Sequence, residues 1–169
     1  MQYNLSSLDT ACSKTFAGIF LIEYAPVYYF ASLPKLTPGT GIINQSIDAL
    51  QVKFKDGYDW LSATVVPRRN LVKSEDKSVN TEHGQWHEDK IGGTIVGDKS
   101  TLTLLFQLMV SYKYIVRVTD NNGNKKIIGT QDSALGFSFT QKNDGVNGSY
   151  TGYEIEFAGK VPVVAFYST

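Results

Sequence analysis

Apolar and polar residues alternate with a period of two along much of the chain. Residues 49–54 read ALQVKF, a clean alternation, and residues 60–66 read WLSATVV, a β-branched run that stops at Pro67. Successive side chains of a β-strand point to opposite faces, so this pattern is typical of strands with one face in a core. Other apolar runs predict further strands at residues 15–23, 27–30, 113–118, 126–128, 135–140, 153–157 and 163–167.

Two Asn/Gly-rich segments separate pairs of these predicted strands. They are residues 120–124 (DNNGN) and residues 144–148 (DGVNG). An Asn-Gly pair readily adopts the positive φ angles that a tight hairpin turn requires. Short strands with turns at regular intervals predict a mainly β fold, an antiparallel β-sandwich or barrel.

One segment departs from the strand period. Leu102, Leu105, Phe106 and Met109 follow the i, i+3, i+4, i+7 spacing of one helical face. Asp98 is a suitable N-cap ahead of them. The pattern predicts one flanking α-helix over about residues 99–112, whose apolar stripe covers an open face of the sheets.

A charged segment over about residues 67–93 has few apolar residues and contains both histidines. A structureless loop of that length is uncommon inside a compact domain unless it is functional or becomes ordered on a partner. We therefore predict a long projecting loop or hairpin, an arm, on a single β-rich domain of residues 1–169. Residues 1–14 form a polar N-terminal segment.

Charge and cysteine content narrow the class of protein. Sixteen basic and sixteen acidic residues give a net charge of zero, which argues against a basic nucleic-acid groove. A single cysteine, Cys12, excludes an intrachain disulfide framework and a cysteine-based zinc site. No apolar run approaches the twenty or so residues of a membrane span, and the N-terminus lacks the pattern of a secretory signal. We expect a chain that assembles in the cytoplasm and does not contact a membrane.

The histidines and carboxylates that could form a metal or catalytic site are more simply interpreted as surface residues. His83 and His87 are four apart, as in zinc-binding helices, but Gly84 and Trp86 disfavour a helix there. On a strand, residues four apart lie about 13 Å from each other. The carboxylates of the arm alternate with lysines, which indicates a solvated surface; they are Glu75, Asp76, Glu82, Glu88 and Asp89. We predict no catalytic, cofactor or metal site, and no enzyme.

Aromatic residues leave a second function open. Exposed aromatic rings stack on sugar rings, although aromatic residues of β proteins more often lie in cores or interfaces. The alternative is therefore a β-sandwich binding module for glycans or a cell-surface partner. Its candidate residues are Tyr28, Tyr29, Tyr58, Trp60 and Trp86.

The order of several motifs resembles a known group of proteins. In order these are residues 18–22 (GIFLI), 82–88 (EHGQWHE), 116–123 (VRVTDNNG), 127–130 (IIGT) and 152–159 (GYEIEFAG). The succession resembles the tail-tube-like ring proteins of phages and prophages of Bacteroidota, including the crAss-like phages. The resemblance rests on order and spacing.

That resemblance implies a fold and a role. Members of the group have a β-sandwich or barrel with one helix and a long hairpin. They form closed homo-oligomeric rings, sixfold or twelvefold, that stack with other tail or connector rings. The stack is the channel for genome ejection, with DNA only as non-specific passing cargo. The resemblance therefore implies a virion tail component, assembled in the host bacterial cytoplasm.

The arm is the segment that we expect to contact neighbouring subunits. Its charges would form salt bridges between subunits, and a buried aromatic side chain would hold the contact. The candidate interface residues are Arg68, Arg69, Glu75, Asp76, Lys77, Trp86 and His87.

Overall fold

The computed structural model describes residues 19–33, 46–48, 51–63, 65, 73–81, 84–96, 100–143, 151–162 and 165–168. These residues form a mainly β fold with one α-helix, as predicted. The strands are β1 Ile19–Pro26, β2 Phe30–Ser32, β3 Ser46–Asp48, β4 Lys53–Phe54, β5 Leu61–Ala63, β6 Lys73–Thr81, β7 Gly84–Val96, β8 Lys113–Asp120, β9 Lys125–Ile128, β10 Leu135–Asn143, β11 Thr151–Val161 and β12 Ala165–Ser168; the helix, α1, is Ser100–Met109.

Strand β8 is the junction of the main sheet. One edge pairs with β1, and the other pairs first with β9 and then with β10 at Tyr114 and Lys113. The first layer therefore contains β5, β1, β8, β9, β12 and β3, and the second contains β10, β11, β7 and β6. Pairing is antiparallel except between β12 and β3. Strands β2 and β4 form a small separate sheet.

The turn between β9 and β10 lets the chain leave one layer and enter the other. Gly129 has φ +98°, a conformation that favours glycine, and a Cβ there would lie 3.4 Å from the Tyr114 carbonyl oxygen. The turn closes where the Thr130 amide donates to the Ser133 carbonyl at 3.0 Å. Both strands thereby reach the same edge of β8.

The main core lies between the two layers and beneath α1. Tyr153, Ile155 and Phe157 of β11 face it with strand alternation. From the helix, the Phe106 ring lies 5.2 Å from the Tyr153 ring. The Tyr114 hydroxyl donates to the Met109 carbonyl at 3.0 Å and thereby holds the end of α1.

A second core packs on the opposite face of β8. It contains Ile115, with Phe30 of β2 and Phe54 of β4. Arg117 donates two hydrogen bonds to the Glu23 carboxylate, at 2.7 and 2.6 Å, and its guanidinium lies 4.7 Å from the centre of the Trp60 ring. The small sheet is thereby attached to the first layer.

The predicted hairpins are confirmed. At residues 120–124, the Asp120 carboxylate accepts the amide hydrogens of Asn122 and Asn124, each at 2.8 Å, and Gly123 has φ +85°. Strands β10 and β11 pair as predicted, and the predicted turn at residues 144–148 lies outside the described residues.

Some predicted boundaries are wrong. Residues 27–29 form a turn of 3-10 helix instead of a strand, because the chain leaves the sheet after Pro26. In the predicted strand 49–54, only Lys53–Phe54 is a strand, and residues 49–50 lie outside the described part. The helix ends at Met109, and residues 110–112 form the turn into β8. Residues 1–14 also lie outside the described part.

The predicted arm is a β-hairpin that is largely part of the second layer. Strand β7 pairs with β11 from His87 to Val96, and Ile91 is fully buried in the main core. Of the described hairpin residues, 79–81 and 84–86 pair with each other beyond the end of β11.

Candidate functional site

The outer face of α1 is apolar and exposed. Phe106 and Met109 turn inward, which leaves Leu104 67%, Leu108 58% and Leu105 46% exposed. Leu104 and Leu108 are four apart and lie on one helical face. We predicted that Leu105 belonged to the buried stripe, and that assignment is wrong. The composition of α1 could have indicated an exposed apolar face. Six of the ten residues in STLTLLFQLM are Leu, Phe or Met, which is more than one buried stripe accommodates.

A cluster of tyrosines lies close to the end of the helix. Tyr28 is 5.5 Å from Tyr112 and 6.3 Å from Tyr58, measured between ring centres, and Tyr29 is 4.3 Å from Tyr58. The Tyr112 amide donates to the Met109 carbonyl at 3.1 Å, so the cluster directly follows α1 in the chain. Three of the five aromatic residues proposed from the sequence for sugar binding therefore lie together. Tyr112 was missed because it is distant in the sequence.

The other two aromatic candidates lie elsewhere. Trp60 is half-buried and packs against Phe30 and Phe54 in the second core. Trp86 lies near the hairpin turn, where the Lys160 ammonium is 5.1 Å from its ring centre. Its indole nitrogen is buried and has no hydrogen-bond partner within the described part of the chain. These two side chains therefore do not extend the tyrosine cluster.

The predicted interface residues of the arm differ in their surroundings. Glu75 and Lys77 are exposed on β6, opposite Lys90 and Glu88 of β7. Arg68 and Arg69 lie outside the described residues.

Asp76 and His87 have partners within the chain. His87 donates from Nδ1 to the Asp76 carboxylate at 2.7 Å. Lys126 of β9 donates to the other oxygen of Asp76 at 3.2 Å. Burial acts to raise the pKa of Asp76, but these two partners outweigh it and hold the pKa below its ordinary value. Asp76 thus connects the hairpin to the opposite layer.

Asp89 was predicted to be a solvated carboxylate, and this is wrong. It is 1% exposed, and neither carboxylate oxygen has a hydrogen-bond partner within the described residues. It lies directly opposite Asp76 in the β6–β7 pairing. Burial, together with the charge of Asp76, raises its pKa to about 6. Strand alternation in the sequence could have indicated this burial, because Asp89, Ile91 and Ile95 share one face of β7.

A shallow, open groove of about 380 Å³ lies on the outer face of the second layer. Gly92 and Gly93 contribute to it, and Glu154 and Glu156 of β11 line it. These carboxylates are exposed to solvent.

In the part of the chain that the structure describes, no group of three or more His, Cys, Asp or Glu side chains is arranged to hold a metal ion. Among the same residues, no helix has the length and apolar character needed to cross a membrane. Comparisons with protein-family models, with curated proteins and with solved structures gave no significant match.

Proposed function

We propose that this chain is a structural subunit of a bacteriophage tail. It forms a homo-oligomeric ring that stacks with other tail rings into the channel for genome ejection. The observation that carries the assembly part of the proposal is the exposed apolar face of α1, formed by Leu104, Leu105 and Leu108. The phage part rests on the order of sequence motifs described above.

The helix face supports assembly for an energetic reason. Contiguous exposed apolar surface is uncommon on proteins that remain monomeric, and it marks sites of association. Covering a leucine side chain completely contributes about 1.5–3 kcal/mol, and these three side chains are each about half to two-thirds exposed. A contact repeated around a closed ring gains this contribution at every interface.

The edge of the second layer supports the same interpretation. Within the described residues, β6 pairs only with β7, so its other edge is available. Glu75 and Lys77 place charges on this nine-residue strand. Charged edge strands resist indiscriminate pairing with other chains. Such an edge favours a defined neighbour over aggregation.

Substitution of the helix face tests assembly. The double variant Leu104→Glu, Leu108→Glu should remain folded, because both side chains are exposed, but should lose the ring. Light scattering after size exclusion would measure mass, and negative-stain images would show whether the wild-type protein forms rings with a central opening. The control is Gln51→Glu, Gln131→Glu, which adds equal charge at exposed positions outside α1. Wild-type protein that stays monomeric at high concentration, or a double variant that still assembles, contradicts the proposal.

A second function is favoured by the tyrosine cluster. Tyr28 and Tyr58 are 46% and 44% exposed and present aromatic faces that suit a glycan. A glycan-binding module should stay monomeric and bind oligosaccharides on an array. Tyr58→Ala should abolish that binding, whereas Tyr58→Phe should retain most of it. If no sugar binds the wild-type protein, this candidate is excluded.

A further inference from the structure

Two aspartates face each other at one position of the β6–β7 ladder, on the side that faces the first layer. Asp89 is buried on β7, neither of its carboxylate oxygens has a hydrogen-bond partner within the described part of the chain, and Asp76 lies directly across from it on β6. Two ionised carboxyls facing each other across a β-ladder repel, and burial adds the cost of desolvation. Asp76 already has two hydrogen-bond partners, whereas Asp89 has none within the described residues.

We infer that Asp89 retains a proton while Asp76 is ionised, and that loss of this proton weakens the attachment of the β6–β7 hairpin to the rest of the sandwich. Protonation removes the buried charge and the repulsion at once. Asp76 remains ionised because His87 and Lys126 donate to it. The different environments of the two carboxyl groups thus place the proton on Asp89 and leave Asp76 ionised.

The charged groups that face Asp89 come from three strands. β6 provides Asp76, β7 provides His87, and β9 provides Lys126. β11 places Gly159 opposite Asp89 and therefore contributes no side-chain charge at that position. The next residue of β11, Lys160, pairs with Glu88 at 3.5 Å. Lys126 and His87 reduce the repulsion, but neither hydrogen-bonds to Asp89 itself.

The direction of the pH effect follows from the two pKa values of Asp89. The pKa is about 6 in the folded chain and 3.8 when the group is free. Between these values the closed hairpin holds a proton that an opened hairpin releases. Stability of the hairpin therefore decreases as pH rises from about 3.8 to about 6, and it levels off above pH 6. Below that range Asp76 begins to protonate and its own two bonds are lost.

Hydrogen exchange of the β6 and β7 amides tests this inference. After correction for intrinsic exchange rates, the opening equilibrium of the wild-type hairpin should be about tenfold larger at pH 7.5 than at pH 5.0. Asp89→Asn preserves the size and shape of the side chain but removes its titratable carboxyl group. It should reduce this ratio to about one. The control, Glu75→Gln, changes an exposed carboxyl of the same hairpin and should keep the wild-type ratio. A wild-type ratio near one, or a tenfold ratio in Asp89→Asn, overturns the inference.

A direct titration applies if Asp89→Asn does not fold. The side-chain carboxyl carbon of Asp89 in the wild-type protein should change its NMR shift with a midpoint near pH 6. The Asp76 carbon should change its shift only well below that pH. A midpoint near 4 for Asp89 would show that the buried group is ionised under ordinary conditions, and the inference would then be wrong.

Discussion

Individual polar residues contribute to stability here according to their burial and their partners. Arg117 and Glu23 lie directly opposite each other on β8 and β1, and their side chains are 14% and 13% exposed. A planar guanidinium matches both oxygens of a carboxylate, and it also stacks on Trp60. Lys142 and Glu154 are 3.6 Å apart with side chains 40% and 49% exposed, where water screens the pair.

Removing the arginine should therefore be costly. Arg117→Ala should lower the free energy of unfolding by about 3 kcal/mol, because the largely buried carboxylate of Glu23 then loses this partner. Arg117→Lys should recover only part of this loss, since it lacks the planar contact with two oxygens. Urea unfolding measures both effects. Lys142→Ala is the exposed comparison and should change stability by less than about 0.5 kcal/mol. Equal losses in the buried and exposed variants would contradict this account.

Among the secondary-structure elements, α1 has two faces with different roles. Phe106 packs against three aromatic rings of β10 and β11, those of Phe137, Phe139 and Tyr153. The Thr103 hydroxyl is 2.7 Å from the Tyr153 hydroxyl, which adds a polar contact between the helix and β11. The opposite face, with Leu104 and Leu108, contributes little to the fold of a single chain.

The two faces can be separated by substitution. Phe106→Ala should destabilise the monomer by about 3–5 kcal/mol, because it leaves a cavity beneath the helix. Leu108→Ala should change the stability of the monomer by less than about 0.5 kcal/mol, because its side chain is mostly exposed. Denaturation at a concentration below assembly measures both. A large loss in Leu108→Ala would show that this leucine packs within the chain, and the proposed assembly face would need revision.

The hairpin β6–β7 is the other element whose role the structure changes. Removing residues 70–89 would delete all of β6 and the first half of β7, including the buried Asp89, and would therefore break the second layer instead of detaching an arm. Glu75, Lys77 and Trp86 are the predicted interface residues whose contribution can be tested by substitution without this damage.

At the scale of the molecule, the two layers are joined through the turn at Gly129, the core, and the bridge from Asp76 to Lys126. This bridge is 3.2 Å long and connects β6 of the second layer to β9 of the first. Lys126 also provides positive charge near Asp89. Its contribution to stability should therefore depend on whether Asp89 is ionised.

The pH dependence of a Lys126 variant tests this connection. Lys126→Met should cost about 1 kcal/mol near pH 5, where it removes only the partly exposed bridge to Asp76. The loss should be larger at pH 7.5, because ionised Asp89 then loses a compensating charge. Urea unfolding at the two pH values gives the difference. The control is Lys160→Met, because Lys160 lies beside Glu88 and Trp86. This variant should lose the same free energy of unfolding at both pH values. An equal loss at both pH values in Lys126→Met would contradict the connection.

The sequence alone determined the fold class, the single helix and the hairpin at residues 120–124, because these depend on local properties. Strand period, helical spacing and the φ preference of an Asn-Gly turn are properties of neighbouring residues. The strand predicted at residues 153–157 lies within β11 for the same reason.

Only the tertiary structure decided which polar residues meet. The contact between Asp76 and Lys126 joins residues 50 apart in the chain, and Tyr28 meets Tyr112 across an even longer separation. Such contacts depend on how the sheet divides at β8 and on which strands then face each other. The burial of Asp89 has the same origin, because a carboxylate among lysines becomes interior only when another layer covers it.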